Sequence, residues 1–316
     1  MEQHVYDMLI IGGGPAGYTA GLYAGRAGLD AVVLEQMSVG GQMVLTDTID
    51  NYPGFPDGVD GITLGMQMQA GAQRFGVPTV YAEVTGVSFS ENIKEVQTTN
   101  GTYMAYTVIL SMGANPRVLG IPGEEEWVGR GVHYCAHCDG RFYKDKTVAV
   151  IGGGNSAVSD ALYLSRMAKQ VYLVHRRDTL RATKIYHKPL QQAENITFCW
   201  NSTVVSLHTD DRVRGVVLQD TKTGEQREIA CDGVFVSIGR QPATSFLKDA
   251  VALDKNGYII ADESTRTNIP GVFAAGDVRT KALRQVVTAA ADGAVAVHYA
   301  EEYLAQNPMG KQSESN

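Results

Sequence analysis

The chain has 316 residues, 44% of them hydrophobic and 19% charged, a composition typical of a globular protein with room for two domains. Its 27 basic and 34 acidic residues give a formal net charge of −7, which argues against an extended nucleic-acid-binding face. No apolar stretch approaches the roughly 20 residues of a membrane span, and the N-terminus lacks a signal-peptide pattern. We therefore expect neither a membrane nor a nucleic acid as partner.

The first elements form a dinucleotide-binding pattern. Residues 7–11 are an apolar run typical of a buried parallel strand, and the G-x-G-x-x-G loop at 12–17 follows directly. A helix of small residues is predicted to about Gly28, and a second strand, 31–34, ends at Glu35. The glycines permit a tight turn and close approach to a pyrophosphate, and Glu35 is placed to accept a hydrogen bond from a ribose hydroxyl. The loop alone is weak evidence, but the whole arrangement predicts a dinucleotide site.

The stretch that follows contains two loops, 40–42 and 50–55, whose small and polar residues could reach the same cofactor. A helix is predicted over 62–75, followed by alternating strands with a hairpin-like turn near Asn100 and Gly101. These elements would extend the first nucleotide-binding unit.

The segment 133–140, His-Tyr-Cys-Ala-His-Cys-Asp-Gly, holds two of the four cysteines, Cys135 and Cys138. A C-x-x-C pair on the first turn of a helix has a lowered thiol pKa, because the helix dipole and unpaired N–H groups favour the thiolate. The thiolate is the species that attacks a disulfide. Taken alone the segment is ambiguous, since together with His133 and His137 it could also bind zinc. Its position between two nucleotide-binding patterns favours redox chemistry.

The second nucleotide-binding pattern begins with the apolar run 147–151 and the glycine loop 152–157. A helix to about Lys169 and a strand over 171–174 follow. The next residues include a cationic cluster, which consists of His175, Arg176, Arg177 and Arg181. Since this cluster replaces the acid Glu35 of the first copy, it fits a 2′-phosphate and predicts a preference for NADP over NAD. The alternative is a solvated basic patch after a strand.

Two further segments support a duplication. Residues 108–116 and 234–242 each consist of an apolar strand followed by the pattern G-x-x-P. The tail after Pro242 contains no third glycine loop and is too short for a core of its own, so we assign it to the first unit. The predicted fold is α/β, with two Rossmann-like domains: 117–245, which carries the cysteine pair, is inserted into a domain made of 1–116 and 246–316.

The combined motifs resemble those of the low-molecular-weight bacterial thioredoxin reductases, and the resemblance covers essentially the whole chain. The motifs are the loop 12–17, Gly41-Gln42, C-A-x-C-D-G at 135–140, the loop 152–157, H-R-R-D-x-x-R at 175–181 and G-x-F-A-A-G-D at 271–277. The resemblance implies a cytoplasmic homodimer that passes electrons from NADPH through FAD and a Cys135–Cys138 disulfide to thioredoxin. It also implies that Cys138 faces the flavin and that Cys135 attacks the partner's disulfide.

The resemblance implies a cofactor site in each domain. The residues implied to bind FAD in the first are Gly12, Gly14, Pro15, Ala16, Glu35, Gln36, Gly41, Gln42, Asn51, Gly113, Ala114, Gly276, Asp277, Arg284, Gln285 and Val286. Those implied to bind NADPH in the second are Gly154, Asn155, Ser156, His175, Arg176, Arg177, Arg181, Ile238 and Arg240.

Two residues beside the cysteines each have two interpretations. His137 stands where relatives commonly have Thr or Val; it either shifts the disulfide's potential or is only an exposed loop residue. Asp139 is placed to exchange a proton with a leaving thiolate, unless it merely caps the helix. No metal site is predicted, because Cys199 and Cys231 are single residues in strand-like surroundings, more typical of core positions than of zinc ligands.

Other functions are open at this point. The chain could be a related flavoprotein reductase with another partner, or a dithiol oxidase that passes electrons from small thiols to oxygen; the arginine cluster argues against the oxidase. A non-catalytic flavin-binding sensor is a further alternative, disfavoured by the intact C-x-x-C-D. Since the cysteine pair precedes the strand that opens the second unit, we expect that domain to present nicotinamide and disulfide to the flavin in turn, by rotating on the segments near 115–123 and 241–245. The alternative is a static arrangement in which nicotinamide and disulfide use opposite faces of the flavin.

Overall fold

The computed structural model describes residues 4–37, 39–46, 48–89, 92–247 and 249–308. The helices are α1 (Pro15–Arg26), α2 (Gly61–Gln73), α3 (Ala136–Asp139), α4 (Asn155–Ser165), α5 (His187–Gln192) and α6 (Val286–Gln306). The strands are β1 (Val5–Ile11), β2 (Ala31–Glu35), β3 (Thr79–Tyr81), β4 (Val84–Ser88), β5 (Lys94–Thr98), β6 (Gly101–Leu110), β7 (Ala114–Pro116), β8 (Val132–His133), β9 (Thr147–Ile151), β10 (Gln170–Val174), β11 (Ile196–Cys199), β12 (Ser202–Thr209), β13 (Val213–Asp220), β14 (Gln226–Ala230), β15 (Gly233–Val236), β16 (Arg240–Pro242) and β17 (Val272–Ala274).

The chain divides into two compact units. The first consists of Met1–Val44, Ile49–Asn115 and Gln241–Asn316, and the second of Leu45–Thr48 and Pro116–Arg240. The tail therefore lies in the first unit, and the segment from Pro116 to Arg240 forms nearly all of the second.

The sheet of the first unit has the order β3-β2-β1-β6-β5-β4, with β17 also beside β6. β1 runs parallel to β2 and β6, whereas β4, β5 and the first half of β6 are antiparallel. The second half of β6 pairs in parallel with β17, a strand that comes from the tail. The parallel strands β1, β2, β6 and β17 thus end at one edge, where α/β folds bind nucleotides.

Side chains of β1 alternate between two cores. Met8 and Ile10 pack on one face with α1 and α6, and Leu9 and Ile11 pack on the other. The second core takes Ile259 and other residues from the tail. Because the tail contributes to both faces, it completes the first unit and does not form a separate domain.

The second unit repeats this topology. Its sheet has the order β11-β10-β9-β15-β8 with all pairs parallel, and β12, β13 and β14 form an antiparallel sheet beside it. β9, β10, β11 and β15 correspond to β1, β2, β3 and β6. This unit has its own buried clusters, which include Val148, Val150 and Leu164 on one face and Ala149 and Val234 on the other.

The helices predicted from the sequence are present with shifted ends. The two helices after the glycine loops end at Arg26 and Ser165, a little before the expected Gly28 and Lys169. Among the described helices, none combines the length and the apolar character needed to cross a bilayer.

Candidate active site

The two glycine loops have the same backbone geometry. Gly12 has φ +105°, and a Cβ there would lie 2.6 Å from the carbonyl oxygen of Ser111. Gly152 has φ +147°, and a Cβ there would lie 2.5 Å from the carbonyl oxygen of Ser237. The two amides also donate to equivalent strand carbonyls, those of Leu34 and Val174. Only glycine fits at the first position of either loop, because the turn requires a positive φ and presses against the neighbouring strand.

Each loop leads into a helix whose N-terminus is open. Gly14 precedes α1 and Gly154 precedes α4, both with extended backbone. A Cβ built on either glycine would meet no atom within 4 Å. The first N–H groups of a helix need an acceptor and carry positive partial charge. Both loops therefore fit the diphosphate of a dinucleotide.

The middle glycine of each loop makes room for the residue that ends the second strand. A Cβ on Gly13 would lie 2.9 Å from a carboxylate oxygen of Glu35, and one on Gly153 would lie 2.4 Å from the ring of His175. Glu35 accepts hydrogen bonds from the amides of Gly13 (2.6 Å) and Met37 (3.1 Å). This holds the carboxylate at the mouth of the loop, the position expected for a ribose-binding acid.

His175 differs from the expectation that it belongs to the cationic cluster. Its side chain is buried, and burial together with the charges of the three neighbouring arginines lowers its pKa. At neutral pH the ring therefore carries no positive charge and acts as a packing group against Gly153. The structure corrects the sequence analysis here: the positive charge comes from the arginines alone.

The three arginines, Arg176, Arg177 and Arg181, are exposed. The amide of Arg181 donates to the carbonyl of Gly153 at 2.8 Å, and the amide of Thr183 donates to the side chain of Asn155 at 2.9 Å. These bonds tie the arginine-bearing segment to the second glycine loop. Cationic groups and open helix N–H groups are thus brought together, as a phosphorylated dinucleotide requires.

Two predicted FAD residues hydrogen-bond to distant segments of the first unit. Asn51 donates to the side chain of Gln285 at 2.9 Å, and Gln42 donates to that of Asn115 at 3.1 Å. Gln285 is also the N-cap of α6, with a reciprocal capping box to Thr288. This capping box fixes the residue at which α6 begins.

Arg284 holds a loop together. Its guanidinium donates to the carbonyl oxygens of Asp277, Arg279 and Lys281, and it stacks over the ring of Tyr258 at 4.1 Å. These contacts fix the segment between Gly276 and α6.

Sequence reasoning missed a buried ionic cluster beneath that segment. Asp292 of α6 accepts hydrogen bonds from Arg279 (2.8 and 2.9 Å), from Lys281 (2.8 Å) and from the amide of Gly276 (2.8 Å). Burial by itself would raise the pKa of Asp292. The hydrogen bonds from the two cations outweigh this effect, so the pKa of Asp292 is lowered. The only sequence signal was a lone acid within the apolar stretch 286–297.

Cys135 and Cys138 form a disulfide, with their Cα atoms 5.3 Å apart. Cys135 is the N-cap of α3, and its carbonyl accepts from the amides of Cys138 (3.2 Å) and Asp139 (3.1 Å). α3 is a single turn, so its dipole is smaller than the sequence argument assumed. The pair belongs to the second unit, between β8 and β9.

The side chain of Asp139 is 10% exposed and makes no capping hydrogen bond, so the capping interpretation is wrong. The carboxylate faces His133, whose Nδ1 lies 3.1 Å from Oδ2 of Asp139. A carboxyl next to a redox cysteine is within reach of a sulfur with which it could exchange a proton.

His137 is exposed and packs on Tyr163, with ring centroids 4.2 Å apart. It also acts on Asp160 of α4. Burial raises the pKa of Asp160, while the hydrogen bond from Ser237 and the nearby charge of His137 oppose that rise. His137 is thus an exposed residue of α3 whose ring packs on Tyr163, and its effect on the disulfide stays a prediction.

Cys199 and Cys231 are buried free thiols whose pKa values burial raises, that of Cys231 to about 12. They contribute to the core of the second unit. Within the described ranges, no group of three or more His, Cys, Asp or Glu residues is arranged to hold a metal. Two dinucleotide loops and a redox disulfide define the class: an oxidoreductase that couples a dinucleotide to a disulfide.

Comparisons with known proteins agree with this class. The profile of the pyridine nucleotide-disulphide oxidoreductase family matches residues 6–293. The thioredoxin reductase of Treponema pallidum is 46% identical over 299 residues, which cover 95% of this chain and 97% of that protein. A bifunctional thioredoxin reductase/thioredoxin of Mycobacterium leprae is 44% identical, over 99% of this chain and 69% of its own. The crystal structure of thioredoxin reductase from Streptococcus pyogenes, 45% identical, matches with a TM-score of 0.90 over 96% of this chain and 100% of its own.

The chain belongs to the pyridine nucleotide-disulphide oxidoreductase family and, within it, to the thioredoxin reductases. The predictions of family, of an α/β fold with Rossmann-like units and of an oxidoreductase are confirmed. The domain boundaries and the individual cofactor-binding residues stay predictions.

Proposed function

We propose that the protein is an NADPH-dependent thioredoxin reductase that uses FAD, with Cys135 and Cys138 as its redox-active pair. The observation that carries the proposal is the disulfide between these cysteines in the unit that also holds the second glycine loop. A two-electron dithiol is the group needed between a nucleotide and a protein disulfide.

In this proposal FAD occupies the first unit. The open N-terminus of α1 takes the diphosphate, and Glu35 takes a ribose hydroxyl. Further FAD contacts are assigned to Gly12, Gly14, Pro15, Ala16, Gln36, Gly41, Gln42, Asn51, Gly113, Ala114, Gly276, Asp277, Arg284, Gln285 and Val286. When bound, the flavin supplies the two-electron chemistry that links nicotinamide to disulfide.

NADPH occupies the second unit. The open N-terminus of α4 takes the diphosphate, and the exposed arginines Arg176, Arg177 and Arg181 take the 2′-phosphate. Asn155, Ser156, Ile238 and Arg240 complete the site, and His175 packs beneath it.

The cysteines act in sequence. Cys135 attacks the partner's disulfide, forming a mixed disulfide and releasing one partner thiolate. Cys138 then attacks Cys135, which restores the Cys135–Cys138 bond and releases the reduced partner. Asp139 holds the proton that a cysteine sulfur takes up when two electrons open that bond.

Thioredoxin is the proposed partner. Support comes from the names of the relatives, and in the Mycobacterium leprae protein a reductase and a thioredoxin share one chain. We also propose a homodimer in the cytoplasm, in line with the family resemblance.

An anaerobic titration tests the proposal. Purified protein should be yellow, lose flavin absorbance on addition of NADPH, and regain it when oxidised thioredoxin is added. Bleaching without recovery by thioredoxin would indicate a reductase for another partner. Oxidation of small thiols by oxygen without NADPH would indicate a dithiol oxidase, and binding without turnover would indicate a sensor.

Single-cysteine variants test the order of the cysteines. Cys135→Ser leaves a Cys138 thiolate, which should give a long-wavelength charge-transfer band with oxidised FAD. Cys138→Ser should lack the band, yet trap a mixed disulfide with a thioredoxin that lacks its second cysteine. Both should keep FAD and lose thioredoxin reduction. The reverse pattern would exchange the roles assigned to the two cysteines.

A further inference from the structure

His133, two residues before the cysteine pair, is buried in the core of the second unit. Its ring stacks on Phe235, with centroids 5.2 Å apart, and meets the ring of Tyr143 edge-on at 5.2 Å. Its Nε2 lies 2.7 Å from the hydroxyl of Tyr143. With a side chain only 5% exposed, this imidazole is held in position by Phe235 and Tyr143.

The other ring nitrogen faces the acid beside the cysteines. Nδ1 of His133 lies 3.1 Å from Oδ2 of Asp139, whose side chain is also buried. Among the described residues this Nδ1 has no hydrogen-bond partner. The oxygen of Asp139 is close enough for a hydrogen bond, but it is not well aligned with Nδ1. Catalytic hydrogen bonds are often poorly aligned in the resting state and tighten during the reaction.

The contacts of the two ring nitrogens go with one tautomer of His133. In that tautomer Nε2 accepts a hydrogen bond from the hydroxyl of Tyr143, 2.7 Å away. Nδ1 then carries the ring proton, on the side of the imidazole where Oδ2 of Asp139 lies 3.1 Å away.

We propose that His133 is a positioning residue, which orients the carboxyl of Asp139 through its Nδ1 and is itself oriented by Tyr143. The inference rests on the proposed function, because the proton role of Asp139 belongs to it. When the two electrons of the NADPH hydride open the Cys135–Cys138 bond, one sulfur takes the proton of Asp139 and the other stays a thiolate. NADP⁺ and the proton of the hydride are the other products. The carboxylate that remains then faces the N–H of His133, which stabilises it.

Two variants of His133 separate this role from packing. His133→Asn places an amide N–H near the position of Nδ1, whereas His133→Leu fills the space without a donor. His133→Leu should lower kcat for thioredoxin reduction by about 10- to 100-fold, part of the 10²–10⁴ that a positioned proton donor contributes. KM for NADPH and for thioredoxin should stay unchanged. His133→Asn should stay within about threefold of the wild type, because its amide N–H replaces that of Nδ1 beside Asp139.

Ferricyanide, a small electron acceptor, provides a control for the steps before the dithiol. Ferricyanide takes electrons from reduced flavin without the dithiol, so its NADPH-dependent reduction should be the same in the wild type and both variants. An unchanged kcat for thioredoxin in His133→Leu would overturn the inference. An equal loss in His133→Asn, with ferricyanide reduction intact, would also overturn it and leave His133 a packing residue.

Tyr143→Phe keeps the test decisive if the histidine variants do not fold. This variant retains the ring against Phe235 and loses only the hydroxyl that orients His133. We expect a kcat reduced by about 3- to 10-fold with ferricyanide reduction intact, and an unchanged kcat would contradict the inference. A wild type that reduces ferricyanide but not thioredoxin would instead refute the proposed function itself, before any variant is compared.

Discussion

The two glycine-loop sites differ at the position that ends the second strand. Glu35 and His175 both end a second strand and both fill the space left by a middle glycine. Glu35 presents a carboxylate bonded to two amides, while His175 is buried and uncharged at neutral pH. In the proposed NADPH site, discrimination for a 2′-phosphate would therefore depend on the arginines that follow His175.

Replacing Arg176 and Arg177 together by Ala should abolish most of the preference for NADPH over NADH. Charge-assisted hydrogen bonds contribute about 1.5–3 kcal/mol each, so the ratio of kcat/KM values should fall by roughly 10²–10⁴. The loss should come mainly from NADPH. Steady-state rates with both nucleotides measure it, and Arg212→Ala, an exposed arginine between β12 and β13, is the matched control. An unchanged ratio would mean that the two arginines are only a solvated patch.

Asp292→Asn should destabilise the first unit strongly. The variant leaves Arg279 and Lys281 without their buried counter-charge, which costs about 3–5 kcal/mol of unfolding free energy. Glu263→Gln is the control, because Glu263 contacts the same Arg279 at 3.5 Å but is 94% exposed. Its effect should stay within about 0.5 kcal/mol. Urea unfolding, monitored by the release of FAD, measures the unfolding free energy of both variants. A similar loss of stability in the two variants would contradict a buried-charge explanation.

The same cluster predicts a pH dependence. The folded-state pKa of Asp292 lies below its unfolded value of about 3.9, so its stabilisation is present above roughly pH 4. It is lost as the pH falls through the folded-state pKa. The stability difference between wild type and Asp292→Asn should therefore shrink on acidification, and a constant difference from pH 7 to pH 3 would exclude this origin.

At the scale of elements, close helix packing explains why small residues fill α1 and α6. A Cβ on Gly293 of α6 would lie 2.2 Å from the carbonyl oxygen of Ala16 in α1. Gly71, in α2, has open space where its Cβ would be. Gly293 and Gly71 therefore differ in what a side chain would meet, and helix packing requires a glycine only at Gly293.

Alanine substitutions should separate these two glycines by the sign of their effect. Gly293→Ala should lower the free energy of unfolding by about 1–3 kcal/mol, because α1 and α6 must move apart. Gly71→Ala should raise it by about 0.5–1 kcal/mol through helix propensity. Thermal unfolding of the two variants checks this, and a destabilising Gly71→Ala would show that α2 has a neighbour at this position.

The elements also show what a sequence can and cannot reveal. The strand, glycine loop and helix of each unit were predictable, because their residues are contiguous and their spacing is fixed by the turn. The Asp292 cluster was not, since it joins α6 to Arg279 and Lys281 through a loop whose path no local pattern specifies. The contact between His133 and Asp139 was missed for a similar reason: it spans the cysteine pair, and only the turn of α3 brings the two side chains together.

For the whole molecule, each unit has buried clusters of its own. Calorimetry should therefore resolve two transitions, each responding to its own ligand. Adding 2′,5′-ADP at about 100 times its Kd should stabilise the second unit by about 2.7 kcal/mol and leave the first unchanged. A single transition that shifts as one would show that the two units unfold cooperatively.

The tail that supplies β17 and α6 also sets an order for biosynthesis. A ribosome releases Pro116–Arg240, nearly the whole second unit, well before Val272–Ala274 and Val286–Gln306 have been made. The first unit lacks β17 and α6 of its core until these two segments have been made. We therefore expect the inserted unit to fold first, so that the nascent chain completes its two glycine-loop units in the reverse of the order in which the loops occur in the sequence.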